Sequence, residues 1–218
     1  TVFIENGDVK DQYEIKIRIP SNYPKGIPIV KEIDEKIPEE FHHYSNGMLC
    51  LDTPFRMHKF FHQGETLKSY IDELVVPYLF SYSYYLIHEK LPFGEHRHGA
   101  EGILEDYKKE FEVIEDLQTI VLLQILVENN YRGHRLCPCG SDKKLRNCHG
   151  QSILSMKEIQ YNFINDFVLI LLWLEKEKKL DMSPFLSEEV KKEVEKIKSL
   201  SAQNSGIHKN LCILSPTN

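Results

Sequence analysis

The stretch Gln12-Tyr13-Glu14-Ile15-Lys16-Ile17-Arg18-Ile19 decides the fold class. Tyr13, Ile15, Ile17 and Ile19 alternate with Glu14, Lys16 and Arg18, and this period of two predicts a half-buried β-strand. On its N-terminal side, Thr1-Val2-Phe3-Ile4 and the turn signal Asn6-Gly7-Asp8 predict an earlier strand of the same sheet. On its C-terminal side, Pro20, Pro24, Gly26 and Pro28 mark a turn-rich crossing, and Ile29-Val30 with Ile33 predicts the next strand of an antiparallel meander. From residue 66 the period changes. Leu67, Tyr70, Ile71, Leu74, Val75 and Tyr78 recur at helical spacing, with Pro77 setting a kink or boundary. Further helices are predicted over 104–111, over 113–127 with Ile114, Leu117, Val121 and Ile125 as the buried stripe, and over 159–174. Ser187 is the expected N-cap of a charged helix, and the residues from Ser201 read as loose. The class is α+β.

With 218 residues against about 150 per domain, one or two domains are expected. The 41% apolar and 11% aromatic content, against 28% charged, is enough to build a core and is unlike a disordered chain. Twenty-seven basic residues against 33 acidic ones give a net charge of -6, so neither direct nucleic-acid binding nor membrane association is expected without a local basic patch. The longest apolar run, residues 167–174, is eight long, against the roughly 18 to 20 that a bilayer-spanning helix needs. That run is a candidate for the core, or for a face buried against a partner or a second copy in a homodimer. Thr1 opens the sequence without a basic-then-apolar leader, which makes the cytoplasm the expected compartment.

Five cysteines with three crowded between 137 and 148 suit a metal site plus singletons, Cys50 and Cys212, better than a disulfide framework. Cys137-Pro138-Cys139, eight intervening residues and then Cys148-His149 supply three thiolates and an imidazole, the ligand count and softness that tetrahedral zinc prefers. Gly140 permits a tight turn after the first pair. Lys143, Lys144 and Arg146 offset a Cys3His complex that is formally -1. The bland alternative is a loop of reduced thiols. The run from Cys137 to Gly150 resembles the SEC-C motif, a small zinc-binding segment appended to many bacterial proteins. That resemblance implies a structural zinc with no open catalytic position, and a role in binding protein partners.

Cys50 lies in Tyr44-Ser45-Asn46-Gly47-Met48-Leu49-Cys50-Leu51-Asp52, where Asn46-Gly47 can reverse the chain. Read alone, a cysteine between two leucines is either a small buried hydrophobe or a nucleophile. Its surroundings resemble the UBC fold of ubiquitin-conjugating enzymes over roughly residues 1–112. Ile19-Pro20-Ser21-Asn22-Tyr23-Pro24 is similar to the family's strand end and Pro-x-x-Tyr-Pro turn, and Asn46-Gly47-Met48-Leu49-Cys50-Leu51-Asp52 to its Asn-Gly-x-Ile-Cys-Leu-Asp run. Gly64-Glu65-Thr66-Leu67 before an apolar helix also corresponds. The chain departs from the family where its His-Pro-Asn tripeptide should end, eight residues before the cysteine. Here Glu40-Phe41-His42 stands in place, so His42 replaces the oxyanion-stabilising Asn and, with His43, becomes a candidate hydrogen-bond donor or base. The family's tryptophan after the cysteine is absent, with Phe60-Phe61 nearby, and its N-terminal helix is missing.

The resemblance implies a cysteine acyltransferase. The Cys50 thiolate accepts a protein's C-terminal carboxyl as a thioester and an amine then releases it. Pro92-Phe93-Gly94-Glu95-His96-Arg97-His98-Gly99 reads as a polar loop, either plain solvated surface or a source of proton-transfer groups, His96 or His98, beside the cysteine. A metalloprotease reading of His96-Arg97-His98 needs a Ser-x-x-Asp that does not follow, because no serine occurs between Ser83 and Ser141. Joined to SEC-C, the pattern resembles the stand-alone conjugating enzymes of bacterial cyclic-oligonucleotide anti-phage (CBASS) systems, which implies the C-terminus of a cGAS-like nucleotidyltransferase as acyl donor. The sequence ends Ser215-Pro216-Thr217-Asn218 without a glycine, so it reads as the carrier rather than the conjugated protein. The rival class is a non-catalytic adapter that recruits a partner through the zinc module and helical tail. The expected organisation is a UBC-like domain over 1–112, a connecting helix over 113–130, a SEC-C-like zinc module over 131–150 and a helical region over 151–218.

Overall fold

The computed structural model describes residues 1–44, 46–93, 99–159 and 161–203, with 200–203 described by backbone alone. The described residues form two compact units that part between residues 93 and 99. The architecture is α+β.

In the first unit, β1 (Val2–Asn6) and β2 (Val9–Tyr13) form a hairpin closed by Gly7-Asp8, with Val2 opposite Tyr13 and Asn6 opposite Val9. β3 (Ile15–Arg18) pairs antiparallel with β4 (Ile29–Glu32), Ile15 facing Glu32 and Arg18 facing Ile29. The stretch 12–19 is therefore extended, as its alternation predicts, but it belongs to two two-stranded sheets rather than to one strand of a continuous meander. Glu14 is where the ladder changes partner. Its carbonyl takes the Ile33 N–H at 2.9 Å and its own N–H reaches the Asp34 carboxylate at 3.3 Å. Tyr13 is fully buried, Ile15 and Ile17 half-buried, and Ile19 exposed, so the apolar face fades beyond the end of β3.

Helix α1 (Pro54–His62) begins with the Thr53 hydroxyl accepting the Arg56 N–H at 3.4 Å and a proline in its first turn, and it buries Phe55, Met57 and Phe61. It follows Cys50 directly. The sequence reading did not foresee it, although Thr53-Pro54 is a recognisable start signal. Next come α2 (Leu67–Tyr70), one wide π-type turn (Ile71–Val75) and α3 (Val76–His88). Pro77 directly follows the π-type turn inside a helical run continuous from Leu67 to His88, so the kink or boundary expected there is a local change of helical pitch. α3 packs on both β1 and β2. Three of these helical tyrosines donate their hydroxyls to carbonyls of the largely irregular segment 28–42. Tyr70 bonds Pro28 O at 2.9 Å, Tyr82 bonds Lys36 O at 2.8 Å, and Tyr78 bonds Phe41 O at 2.6 Å and His42 O at 3.3 Å. Backbone groups that no strand partner satisfies are thus satisfied from a helix.

The second unit is helical around the cysteine module. Helix α4 (Gly99–Phe111) packs on α5 (Asp116–Val127) and α7 (Phe163–Lys178), and α5 also meets α6 (Gly150–Glu158) and α7. α4 therefore groups with the later helices, whereas the sequence reading placed it with the sheet in 1–112. Asp116 takes Lys108 at 2.5 Å and Lys178 at 2.6 Å, linking α4, α5 and α7. The expected stripe on α5 is not the buried one: Ile114 is 85% exposed and Leu117 49%, while Ile120, Leu122 and Leu123 are sealed. Eight of the twelve positions of α5 are apolar and they lie all round the helix, so periodicity cannot choose its face, and neighbours on several sides decide. The single helix predicted over 159–174 is also corrected. α6 ends at Glu158, Ile159 is extended, and α7 starts at Phe163. Residues 167–174 supply the unit's own core, with Phe167, Val168, Ile170, Leu171 and Leu174 buried. Ser187 caps α8 (Glu188–Gln203) by accepting the Val190 N–H at 3.4 Å, and the helix continues past Ser201 to Gln203. No helix among the described residues is long and apolar enough to cross a membrane.

Candidate metal centre and the Cys50 turn

The chain from Arg132 folds into a knuckle through a few backbone bonds. Cys137 N–H donates to Lys143 O at 2.8 Å and Leu145 N–H to Arg135 O at 2.8 Å, while Arg146 N–H reaches Gly133 O at 3.1 Å. Gly140 takes φ +77°, a left-handed turn that returns the chain after the first ligand pair. A short 3-10 turn over Leu145–Asn147 delivers Cys148, and His149 sits at the N-cap of α6. Leu145 is the module's buried anchor, and α5 reaches in with Gln118, whose amide bonds Cys139 O at 3.1 Å.

All four predicted donors converge. Cys137, Cys139 and Cys148 Sγ and a His149 ring nitrogen lie within 4.8 Å of one another. Cys137 Sγ is 3.1 Å and Cys148 Sγ 3.3 Å from His149 Nδ1, and Cys139 Sγ is 3.5 Å from Cys148 Sγ. Around an ion with metal–sulfur and metal–nitrogen distances of about 2.3 and 2.0 Å, tetrahedral edges come to about 3.8 Å and 3.5 Å. The observed edges lie within a few tenths of these, so the residues fit a four-coordinate metal. Burial pushes the Cys137 thiol up to about 11. Burial acts the same way on Cys139, but hydrogen bonds from the Ser141 hydroxyl and backbone N–H and from neighbouring sulfurs outweigh it and bring this thiol down to about 6. A cation must displace the protons that remain. Lys143, Lys144 and Arg146 are exposed around the cluster, as the charge argument expects, and Arg132 and Arg135 join them.

In the first unit, Cys50 ends a tight reversal. Tyr44 N–H bonds Met48 O at 2.8 Å, Gly47 N–H bonds Tyr44 O at 2.9 Å, His43 bridges Leu49, and Cys50 N–H donates to His42 O at 2.8 Å. Leu49 N–H bonds Val30 O at 2.9 Å and hangs the turn on β4. Leu49 is buried while Cys50 is half-buried. The sequence pair Cys50 and His42 is thus brought together through the backbone. His42 takes a left-handed φ of +49° with its ring edge-on to Phe41 at 4.9 Å. His43 is buried, its Nδ1 3.0 Å from Phe41 O. His96 and His98 lie outside the described residues. One contributor escaped the sequence reading. Tyr78 fixes the carbonyls of residues 41 and 42, and only its helical spacing was legible.

Compared with known families, residues 136–151 match the SEC-C motif. The match covers the knuckle and identifies that module. No curated protein and no solved structure matches the chain.

Proposed function

We infer that this chain is a ubiquitin-conjugating-like acyl carrier that loads a protein C-terminus on Cys50, and that its SEC-C knuckle holds a structural zinc. The observation that carries the reading is the Cys50 turn: a half-buried thiol at the end of a short reversal, its N–H bonded to the carbonyl of the residue standing where an oxyanion stabiliser is expected. The Cys50 thiolate attacks an activated carboxyl carbon, forming the C–S bond as the activating group departs. An amine then attacks that carbon. The His42 ring N–H stabilises the tetrahedral oxyanion, with His43, His96 and His98 as further donors or bases, and the C–S bond breaks to return the thiolate. With four protein donors, zinc contributes no reacting position and braces the knuckle. The resemblance to the anti-phage conjugating enzymes supplies the donor class, the C-terminus of a cGAS-like nucleotidyltransferase, in a cytoplasm where thiols stay reduced.

The test is a Cys50→Ser chain recovered from its native host. A protein joined by an ester to the introduced hydroxyl supports the carrier and names its donor, whereas a bare chain together with a wild-type Cys50 inert to iodoacetamide at neutral pH overturns it. A second reading, a non-catalytic adapter, is favoured by the five exposed basic side chains Arg132, Arg135, Lys143, Lys144 and Arg146 on a knuckle within a net-acidic chain. Under that reading the inert thiol is the expected result.

A further inference from the structure

The knuckle is not equally protected on all sides. Cys137 is 5% exposed and its N–H is anchored on Lys143 O, whereas Cys139 and Cys148 are both half-buried. Their sulfurs stand 3.5 Å apart, with the exposed Ser141 touching both, its Oγ 3.2 Å from Cys139 Sγ and 3.3 Å from Cys148 Sγ. A disulfide needs sulfurs about 2.05 Å apart, so about 1.5 Å of approach joins this pair. Competing pairings are worse. Cys137 and Cys139 are separated by Pro138 alone, which makes a cramped ring, and the buried Cys137 sulfur is shielded from the first attack by an oxidant.

We propose that Cys139 and Cys148 form an oxidation site, at which a hydroperoxide converts the open edge of the knuckle into a disulfide and the module releases its metal. Thiols that ligate a cation are deprotonated, and the thiolate is the nucleophilic form. One of the two sulfurs attacks hydrogen peroxide, forming an S–O bond as the O–O bond breaks and hydroxide leaves. The second thiolate attacks that sulfenic sulfur, forming the S–S bond as the S–O bond breaks and a second hydroxide leaves. The two sulfurs lose two electrons and the peroxide gains them. Two donors of four remain, Cys137 and His149, too few to hold a tetrahedral ion. A dithiol reductant and fresh metal reverse the change. The device is independent of Cys50, so it serves a carrier or an adapter equally.

The test uses the full chain with Cys50→Ser, loaded with zinc and treated with hydrogen peroxide. A chromogenic chelator reads metal release, and mass spectrometry of the digested protein maps the thiols. The expected result is one zinc released per Cys139–Cys148 disulfide, restored by dithiothreitol and zinc. Zinc retained at doses that oxidise a free cysteine peptide, a disulfide through Cys137, or sulfinic acid without a disulfide overturns the proposal. Ser141→Ala keeps all four ligands and removes the hydroxyl that shares the sulfurs' lone pairs. It should speed release on the order of threefold, and an unchanged rate argues against this edge as the point of attack.

Discussion

A methyl group at residue 150 would sit 2.8 Å from the Leu145 carbonyl oxygen and 2.6 Å from the Tyr131 hydroxyl. The phenol can swing away, but the carbonyl cannot, because it accepts the Cys148 N–H at 3.0 Å inside the turn that delivers the third sulfur. Gly150→Ala should therefore cost about 1 to 3 kcal/mol in overpacking. A thermal melt of the metal-loaded protein should show a drop of several degrees, and an unchanged midpoint would mean that the turn yields freely. Position 140 is different in kind. Its Cβ would have room, with only Gln118 at 3.8 Å, and what demands glycine there is the sign of φ. The sequence shows both glycines beside the ligands but not these separate reasons, since one is a backbone angle and the other a through-space distance.

Among elements, the knuckle depends most on something other than its own packing. Leu145 and Cys137 are its buried side chains between residues 131 and 149, too little apolar area to hold a fold without a cross-link. Chelation should strip amide-exchange protection from residues 133–149 while α4, α5 and α7 keep theirs, since those helices bury Leu104, Ile120 and Phe167 without help from the metal. Exchange mass spectrometry with and without a strong chelator measures this, and equal protection in both states would sink the claim. The four clustered donors were legible in the sequence because donor type and spacing are what a sequence states directly. Alternation in 12–19 likewise announced extended chain, but it could not show that the ladder changes partner at Glu14, since a strand reads the same whichever neighbour it pairs with. The α6–α7 break was hidden because Ile159 and Phe163 continue helical spacing across it. The stripe on α5 failed for want of polar contrast. At the Cys50 turn, the reversal at Asn46-Gly47 could be read, whereas the backbone bond from Cys50 to the His42 carbonyl and Tyr78, which arrives from 36 residues away, could not.

At the scale of the molecule, one buried acid sets a pH dependence that net charge does not suggest. Asp166 is 2% exposed and accepts the hydroxyls of Tyr107 at 2.8 Å and Tyr161 at 2.9 Å. Burial, aided by nearby Asp106 and opposed by the two phenols, pushes its carboxyl up to about 7. Between pH 4 and 7 the folded chain thus keeps a proton that the unfolded chain has lost, and stability falls as pH rises through that window. The slope is at most about 1.4 kcal/mol per pH unit. Denaturant titrations at pH 5 and pH 8 should show the wild type losing stability relative to Asp166→Asn, and parallel curves would refute this. The tyrosines have a second consequence. Burial also holds the phenols of Tyr13, Tyr70 and Tyr82 above their ordinary range, and that of Tyr107 well above it. In mild alkali, where a free phenol is half ionised at about pH 10, these rings stay protonated and dark in the phenolate absorption band until the chain opens. Each unit thus carries a built-in chromophore that reports unfolding in plain ultraviolet light, with no dye attached.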